Sequence, residues 1–374
     1  MKLLLLFFSF CLALVSQSQT GTQTTNTMTH DGKVREYILY VPQMYDVSVE
    51  VPLVINLHGY TSNMTQQLVY GDFRKIADTA NFILVVPNGL TDGTGNQHWN
   101  FFQPNGEDDL GFLSALIDEL TSNYAVNTNR VYSTGMSNGG YMSIHLACNL
   151  SSKITAVASV TGTMNPFAMS SCSPSRPVPT MLIHGTNDPT VPYNGNTTSA
   201  SVPNVISHWV NQTNCNTTPI LTNVPNTSTT DGCTAEHYLY TGGTNGATVE
   251  LFKIIDGGHT WPGAPVNIGV TNQDINASKE IWRFFSQFST SDLVSLQEEF
   301  IDFVTLYPNP SKGNIKISPK QSIERILVLS AEGKVVRSIE NITQEITIEN
   351  LVSGIYFVQI QTKEKSFSKK MIVN

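Results

Sequence analysis

The stretch Arg130-Val-Tyr-Ser-Thr-Gly-Met-Ser-Asn-Gly-Gly140 decides the fold. Arg130–Gly135 reads as a strand, and the residues from Asn138 to Cys148 read as a helix. Between them stands Gly135-Met-Ser137-Asn-Gly139, a G-x-S-x-G pattern. The pattern alone occurs often by chance. With a strand before it and a helix after it, it describes a sharp turn that lifts the serine hydroxyl above a sheet, with glycines removing side chains that would clash. The amides at the head of the helix, Asn138 among them, can then face an oxyanion.

Working outward from this turn, strand-like and helix-like runs alternate from about residue 30 to 290. Strands are expected at Glu36–Pro42, Pro52–Leu57, Phe82–Pro87, Ile154–Val160, Thr180–His184 and Thr248–Ile255. Helices are expected at Gln67–Asn81, Asp109–Tyr124, Ser201–Asn214 and Asn276–Phe288. In the second helix Leu113, Leu116, Ile117 and Leu120 share one face, and Asp108 or Asp109 can cap its start. The fully apolar run Phe-Ile-Leu-Val-Val-Pro at 82–87 suits a strand covered on both faces. Such alternation predicts an α/β fold, a mostly parallel sheet with helices on both sides. Residues 212–247 are rich in Asn, Thr, Pro and Gly and read as an irregular excursion.

A serine nucleophile needs a base, and the base needs an orienting carboxylate. In a fold of this kind they follow in the order Ser, Asp or Glu, His. Asp188, in His184-Gly-Thr-Asn-Asp-Pro, and His259, in Asp256-Gly-Gly-His-Thr-Trp, each lie just past a strand. With Ser137 they would meet at the carboxyl ends of the strands, where open sheets of this type bind ligands. Asn187 cannot carry the charge, Asp256 can serve the turn, and His184 reads as structural. The loop Leu57-His58-Gly59-Tyr60-Thr61 follows an early strand, so the Tyr60 or Thr61 amide is the second oxyanion donor and Asn138 the first. His58 precedes the serine, the wrong order for the base, and reads as a brace for that loop. Trp99 and Trp261 are candidates for an aromatic rim that holds substrate.

Charged residues make up 13% of the 374-residue chain, and the net charge is −8. An acidic chain without a basic cluster argues against a nucleic-acid partner. The charge is uneven: residues 301–374 hold 10 of the 21 basic residues and 7 of the 29 acidic ones, a step that marks a domain boundary. Lys2, the apolar run Leu3–Val15 and the small polar exit Ser16-Gln-Ser18 describe a signal peptide over residues 1–18. That run is too short to span a bilayer, and no later segment is long and apolar enough. Cys11 falls within it. Four cysteines remain, Cys148, Cys172, Cys215 and Cys233. In an exported chain they imply two disulfides with three possible connectivities, and the nearest-neighbour pairing Cys148–Cys172 and Cys215–Cys233 is expected. No Cys/His spacing suggests a metal, and the chemistry needs no cofactor.

At these motifs the chain resembles the polyhydroxybutyrate depolymerase-like esterases, an α/β-hydrolase family that includes feruloyl and acetylxylan esterases. The resemblance spans about residues 28–290. It rests on Leu57-His-Gly59, Val86-Pro-Asn-Gly89, Asp109-Leu-Gly-Phe112, Gly135-Met-Ser-Asn-Gly-Gly140, His184-Gly-Thr-Asn-Asp188 and Gly258-His-Thr-Trp-Pro-Gly263, with Cys148 beside them. It implies a secreted serine carboxylesterase using Ser137, Asp188 and His259 through an acyl-enzyme. Its substrate would be a polyester or hydroxyalkanoate ester, or alternatively a feruloyl or acetyl ester on plant polysaccharide. A serine peptidase on the same fold is the rival activity. Beyond a linker at 291–304, short strand-like runs at 314–318, 325–329, 334–338, 346–348 and 355–361 predict a small β-sandwich. Residues 305–374 resemble a type IX secretion C-terminal sorting domain through Leu306-Tyr-Pro-Asn-Pro310, Gly313, Ser353-Gly-Ile-Tyr-Phe357 and Lys369-Lys370. That resemblance implies the secretion machinery as partner and a secreted or surface-attached protein. The competing reading of this module is a sandwich that binds the substrate polymer.

Overall fold

The computed structural model describes residues 20–103, 106–293, 304–319, 322–330, 334–361 and 366–374. The expected signal peptide and residues 294–303 of the expected linker lie outside the described residues. The chain divides after Leu293 into two compact units.

In chain order the first unit contains β1 (Thr22–His30), β2 (Lys33–Val41), β3 (Val51–Leu57), α1 (Met64–Tyr70), α2 (Arg74–Ala80), β4 (Ile83–Pro87) and α3 (Asp109–Asn123). It continues with β5 (Val126–Met136), α4 (Asn138–Asn149), β6 (Ala156–Val160), α5 (Pro166–Ser171), β7 (Thr180–Gly185) and α6 (Val202–Thr213). Last come β8 (Ile220–Asn223), β9 (Thr234–Tyr240), β10 (Val249–Ile255), α7 (Ala277–Phe285) and α8 (Thr290–Leu293). The ten strands form one sheet in the order β1-β2-β4-β3-β5-β6-β7-β10-β9-β8. The six central strands, β4 to β10, are parallel, and antiparallel pairs finish both edges.

Alternate residues of the central strands feed two cores. Leu53, Ile55, Ile83 and Val85 face one side, with Leu116 of α3, Leu146 of α4 and Trp209 of α6. Val54, Leu84 and Val86 face the other, with Leu68 of α1, Ala77 of α2 and Phe284 of α7. This period-2 division is why the β4 sequence shows no polar positions. The chain crosses from β4 on one flank of β3 to β5 on the other, so the strand order reverses at β3/β5, where such sheets open a ligand crevice.

Three expectations are corrected. The helix expected at Gln67–Asn81 is two helices. Gly71 caps α1 by donating to the Gln67 carbonyl, and the Asp72 carboxylate accepts the Arg74 amide to begin α2. The excursion at 212–247 contains β8 and β9, which extend the sheet as an antiparallel edge. Only one of the two expected disulfides exists. Cys148 and Cys172 are joined, tying the end of α4 to the end of α5. Cys215 and Cys233 are buried free thiols. Asn216 donates to the Thr241 carbonyl, which holds Cys215 near the far end of β9, whereas Cys233 immediately precedes that strand. Seven residues at about 3.3 Å each separate them by roughly 20 Å, and a disulfide needs Cα atoms within about 7 Å. They also pack into opposite cores.

The second unit holds β11 (Val304–Tyr307), β12 (Ile315–Pro319), β13 (Ile323–Ser330), β14 (Val335–Ile342), β15 (Ile346–Ile348), β16 (Gly354–Gln361) and β17 (Ser366–Val373). They form two antiparallel sheets, β11-β12-β15 and β14-β13-β16-β17. Ile315 and Ile317 of the first share one core with Ile326, Val328, Val358 and Ile360 of the second, so alternate residues of facing sheets make a sandwich.

Candidate active site

Ser137 sits on the turn from β5 into α4 with φ 53° and ψ −119°. A non-glycine residue held there stores about 1–3 kcal/mol of strain. The turn is fixed on both sides: Ser137 N–H donates to the Val160 carbonyl at 2.8 Å, and the Ser137 carbonyl accepts from the Tyr141 amide at 3.0 Å. The two motif glycines allow the helix to approach. A Cβ on Gly139 would stand 2.3 Å from the Leu57 carbonyl oxygen, and one on Gly135 would stand 2.6 Å from the same atom. Across the strand-order reversal, Gly59 brings the β3 loop against the Ser137 side chain.

Asp188 lies in the turn after β7 and His259 in the loop after β10. His259 Nδ1 is 2.7 Å from Asp188 Oδ2. The other oxygen, Oδ1, accepts the Thr190 and Val191 amides, each at 2.8 Å. Burial opposes the Asp188 charge, but the His259 contact and the Val191 amide outweigh it and hold the carboxyl below the usual range. With Asp188 ionised, Nδ1 of His259 is the donor, which leaves Nε2 as the basic nitrogen. Two of the rival residues are paired with each other: Asn187 Nδ2 donates to Asp256 Oδ1 at 3.1 Å. His184 is fully buried, and its Nε2 donates to the Val191 carbonyl at 2.8 Å. It therefore braces the acid turn. The Ser137 hydroxyl makes no hydrogen bond, to His259 or otherwise, among the described residues. Catalytic hydrogen bonds of this kind often tighten only when substrate binds.

The expected oxyanion donors divide. Thr61 N–H is spent on the Gln97 carbonyl at 3.0 Å, so it is not a donor to substrate. The Tyr60 and Asn138 amides take no acceptor among the described residues. His58 braces the loop that carries Tyr60: burial pushes its imidazole down to about 4, Nε2 accepts the Gly89 amide at 2.9 Å, and Nδ1 donates to the Gly59 carbonyl at 2.7 Å.

Trp99 and Trp261 do not form a rim, because each is only 1% exposed. Trp99 Nε1 donates to the His58 carbonyl at 3.0 Å, and Trp261 Nε1 donates to Ser278 Oγ at 3.2 Å. The large exposed apolar side chains on loops after β3, β4 and β10 are Tyr60, Phe102, Val266, Ile268 and Val270.

Sequence reasoning missed what the Asn138 side chain does. Its Oδ1 accepts the Trp99 amide at 2.6 Å and its Nδ2 donates to the Trp99 carbonyl at 3.0 Å. It thus ties the head of α4 to the loop after β4, whose Trp99 in turn bonds the His58 carbonyl. A second missed anchor is the buried pair Arg35 and Asp109, whose other oxygen takes the Asn100 amide at 2.6 Å. Asp109 stood in a quoted motif, but nothing local marks Arg35 as its partner.

A mostly parallel sheet with a strained serine at the head of a helix, and an acid–histidine pair on later loops, defines the α/β-hydrolase class. The chain belongs to the carboxylesterase family of that class: residues 47–221 match the family model described as phospholipase/carboxylesterase. Feruloyl esterase C of Emericella nidulans is 30% identical over 261 residues, 67% of this chain and 83% of the relative. A bifunctional acetylxylan esterase/xylanase of Neocallimastix patriciarum is 28% identical over 267 residues, 71% of this chain, and the chain spans only 35% of that enzyme's length. The solved acetyl xylan esterase from Aspergillus awamori superposes with a TM-score of 0.50 at 14% identity, over 70% of this chain and 99% of that one. That likeness carries the fold alone. Residues 305–374 match the secretion system C-terminal sorting domain, which marks a secreted or surface-attached protein. No helix among the described residues is long and apolar enough to cross a membrane.

Proposed function

We propose that this esterase removes feruloyl or acetyl groups from plant polysaccharide, with Ser137, Asp188 and His259 as its triad. The 2.7 Å contact between His259 and Asp188, on loops that leave the parallel strands at the same edge of the sheet as the strained Ser137 turn, is the observation that supports the triad. Ser137 Oγ attacks the ester carbonyl carbon, and His259 Nε2 takes its proton. The oxyanion is met by the Tyr60 and Asn138 amides. Collapse expels the alcohol, which takes the proton back from His259. Water, activated by the same nitrogen, then frees the acid from Ser137. Asp188 keeps Nδ1 protonated and stabilises the imidazolium that forms.

Relatives named as feruloyl and acetylxylan esterases support the polysaccharide ester over the hydroxyalkanoate polyester. The test sets methyl ferulate and acetylated xylan beside a polyhydroxybutyrate film and a peptide panel, using wild type and Ser137→Ala. Release of ferulate or acetate by the wild type alone is expected. Turnover confined to the film or to peptides, or full activity in Ser137→Ala, refutes the reading.

A further inference from the structure

Away from the triad, a cleft of about 460 Å3 opens between α6 and the face of β9 and β10 that this helix covers. Clefts that hold small ligands enclose roughly 300–1,000 Å3. Its floor is apolar, made by Ile206 and Val210 of α6 and Leu251 of β10. Three half-buried tyrosines line it. Tyr238 and Tyr240, two residues apart, share one face of β9. Tyr193 comes from the loop that begins at Asp188.

The lining is electrically balanced. Lys253 Nζ lies 3.5 Å from Glu236 Oε2, and the same oxygen accepts the Tyr238 hydroxyl at 2.7 Å. Burial, reinforced by Glu236, pushes the Tyr238 phenol up to about 12, and burial pushes Tyr193 up to about 12 as well. Both phenols therefore stay neutral. Exposed Ser207 and Asn211 add neutral polar groups at the α6 side. Aromatic faces over an apolar floor, with hydroxyl and amide groups at the edge, match the C–H faces and hydroxyls of a sugar ring. A charged ligand would have to break the Lys253–Glu236 pair.

The cleft is coupled in space to the acid. The Tyr193 ring lies 6.1 Å from the His184 ring, and His184 Nε2 is 3.4 Å from Asp188 Oδ2. We propose that this cleft is a second subsite, which binds the pyranose backbone of a neutral polysaccharide while an ester on the same chain enters the Ser137 site. The inference rests on the polysaccharide-ester reading and names the polymer contact that reading leaves open.

The test uses the full chain in affinity gels cast with soluble arabinoxylan. Ser137→Ala provides an inactive protein whose retardation reports binding alone. Retardation of Ser137→Ala is expected, with loss of retardation when Tyr238→Ala and Tyr240→Ala are added. Ser207→Arg, an exposed change on α6, should block the cleft without touching its floor and give the same loss if the tyrosine variant is misfolded. In the active protein these changes should raise KM on feruloylated arabinoxylan by about tenfold, leaving kcat and methyl ferulate turnover alone. Retardation that is absent in Ser137→Ala, or that survives both sets of cleft changes, overturns the subsite even if ester hydrolysis is normal. Normal retardation with no hydrolysis of methyl ferulate or acetylated xylan instead overturns the esterase specificity and leaves the subsite standing.

Discussion

His259 Nδ1 meets Asp188 Oδ2 at 2.7 Å, and the opposite oxygen of that carboxylate is held by two backbone amides of its own turn. The His259 imidazole makes the short contact on the oxygen those amides leave, with His184 Nε2 3.4 Å from the same atom. Asp188→Asn keeps the shape but places an amide where the N–H must be accepted. Turnover on a small ester should fall by about 10⁴-fold with little change in melting temperature. A loss under tenfold would show that the histidine tautomer is set elsewhere.

Arg35 and Asp109 form a buried pair, 2% and 0% exposed, with the guanidinium 3.8 Å from the centre of the Phe112 ring. Arg35→Met leaves a buried carboxylate without its partner and should cost about 3–5 kcal/mol of stability. Arg35→Met with Asp109→Leu should recover most of that. Denaturant unfolding of the three proteins measures this, and additive losses would rule out the pair as the cause.

Glu250 is buried between His237 and Arg283. Burial opposes its charge, but the bonds to His237 and Arg283 outweigh it and hold the carboxyl below the ordinary glutamate value. A depressed carboxylate stabilises the fold fully above its unfolded pKa and loses that contribution as pH falls through the folded one. Stability should therefore drop below roughly pH 4.5 in the wild type, near the ordinary glutamate pKa. Glu250→Gln should start lower at neutral pH and fall less steeply in acid. Equal acid slopes in urea titrations would remove Glu250 from the account.

Cys148–Cys172 closes a loop with a sequence separation of 24. Replacing both cysteines by alanine should cost about 3 kcal/mol. Protein beginning at residue 19, unfolded without reductant, should titrate two thiols, from Cys215 and Cys233. No reactive thiol in that measurement would mean that these two are bridged after all.

The sorting domain at 305–374 and the hydrolase residues occupy separate units. Ending the chain near Phe300 should leave turnover of methyl ferulate within about twofold, because the contacts proposed for catalysis lie before residue 260. In a host with the matching secretion system, the shortened protein should remain in the cell envelope. Normal export together with lost binding to insoluble polymer would make the C-terminal unit a substrate-binding module.

The sequence by itself determined whatever is local in the chain. The β–α alternation, the glycine-flanked Ser137 turn and the order of Ser137, Asp188 and His259 each follow from short-range periodicity and turn chemistry. The tertiary structure decided what depends on distance in space. Thr61 loses its amide to Gln97, 36 positions on, and the tryptophans at 99 and 261 are closed over by packing that their neighbours in sequence do not reveal. Thr22–His30 has a polar composition that hides an edge strand until Lys33–Val41 pairs with it. Cys215 and Cys233 look paired along the chain, but an extended strand between them turns a short separation in sequence into a long one in space.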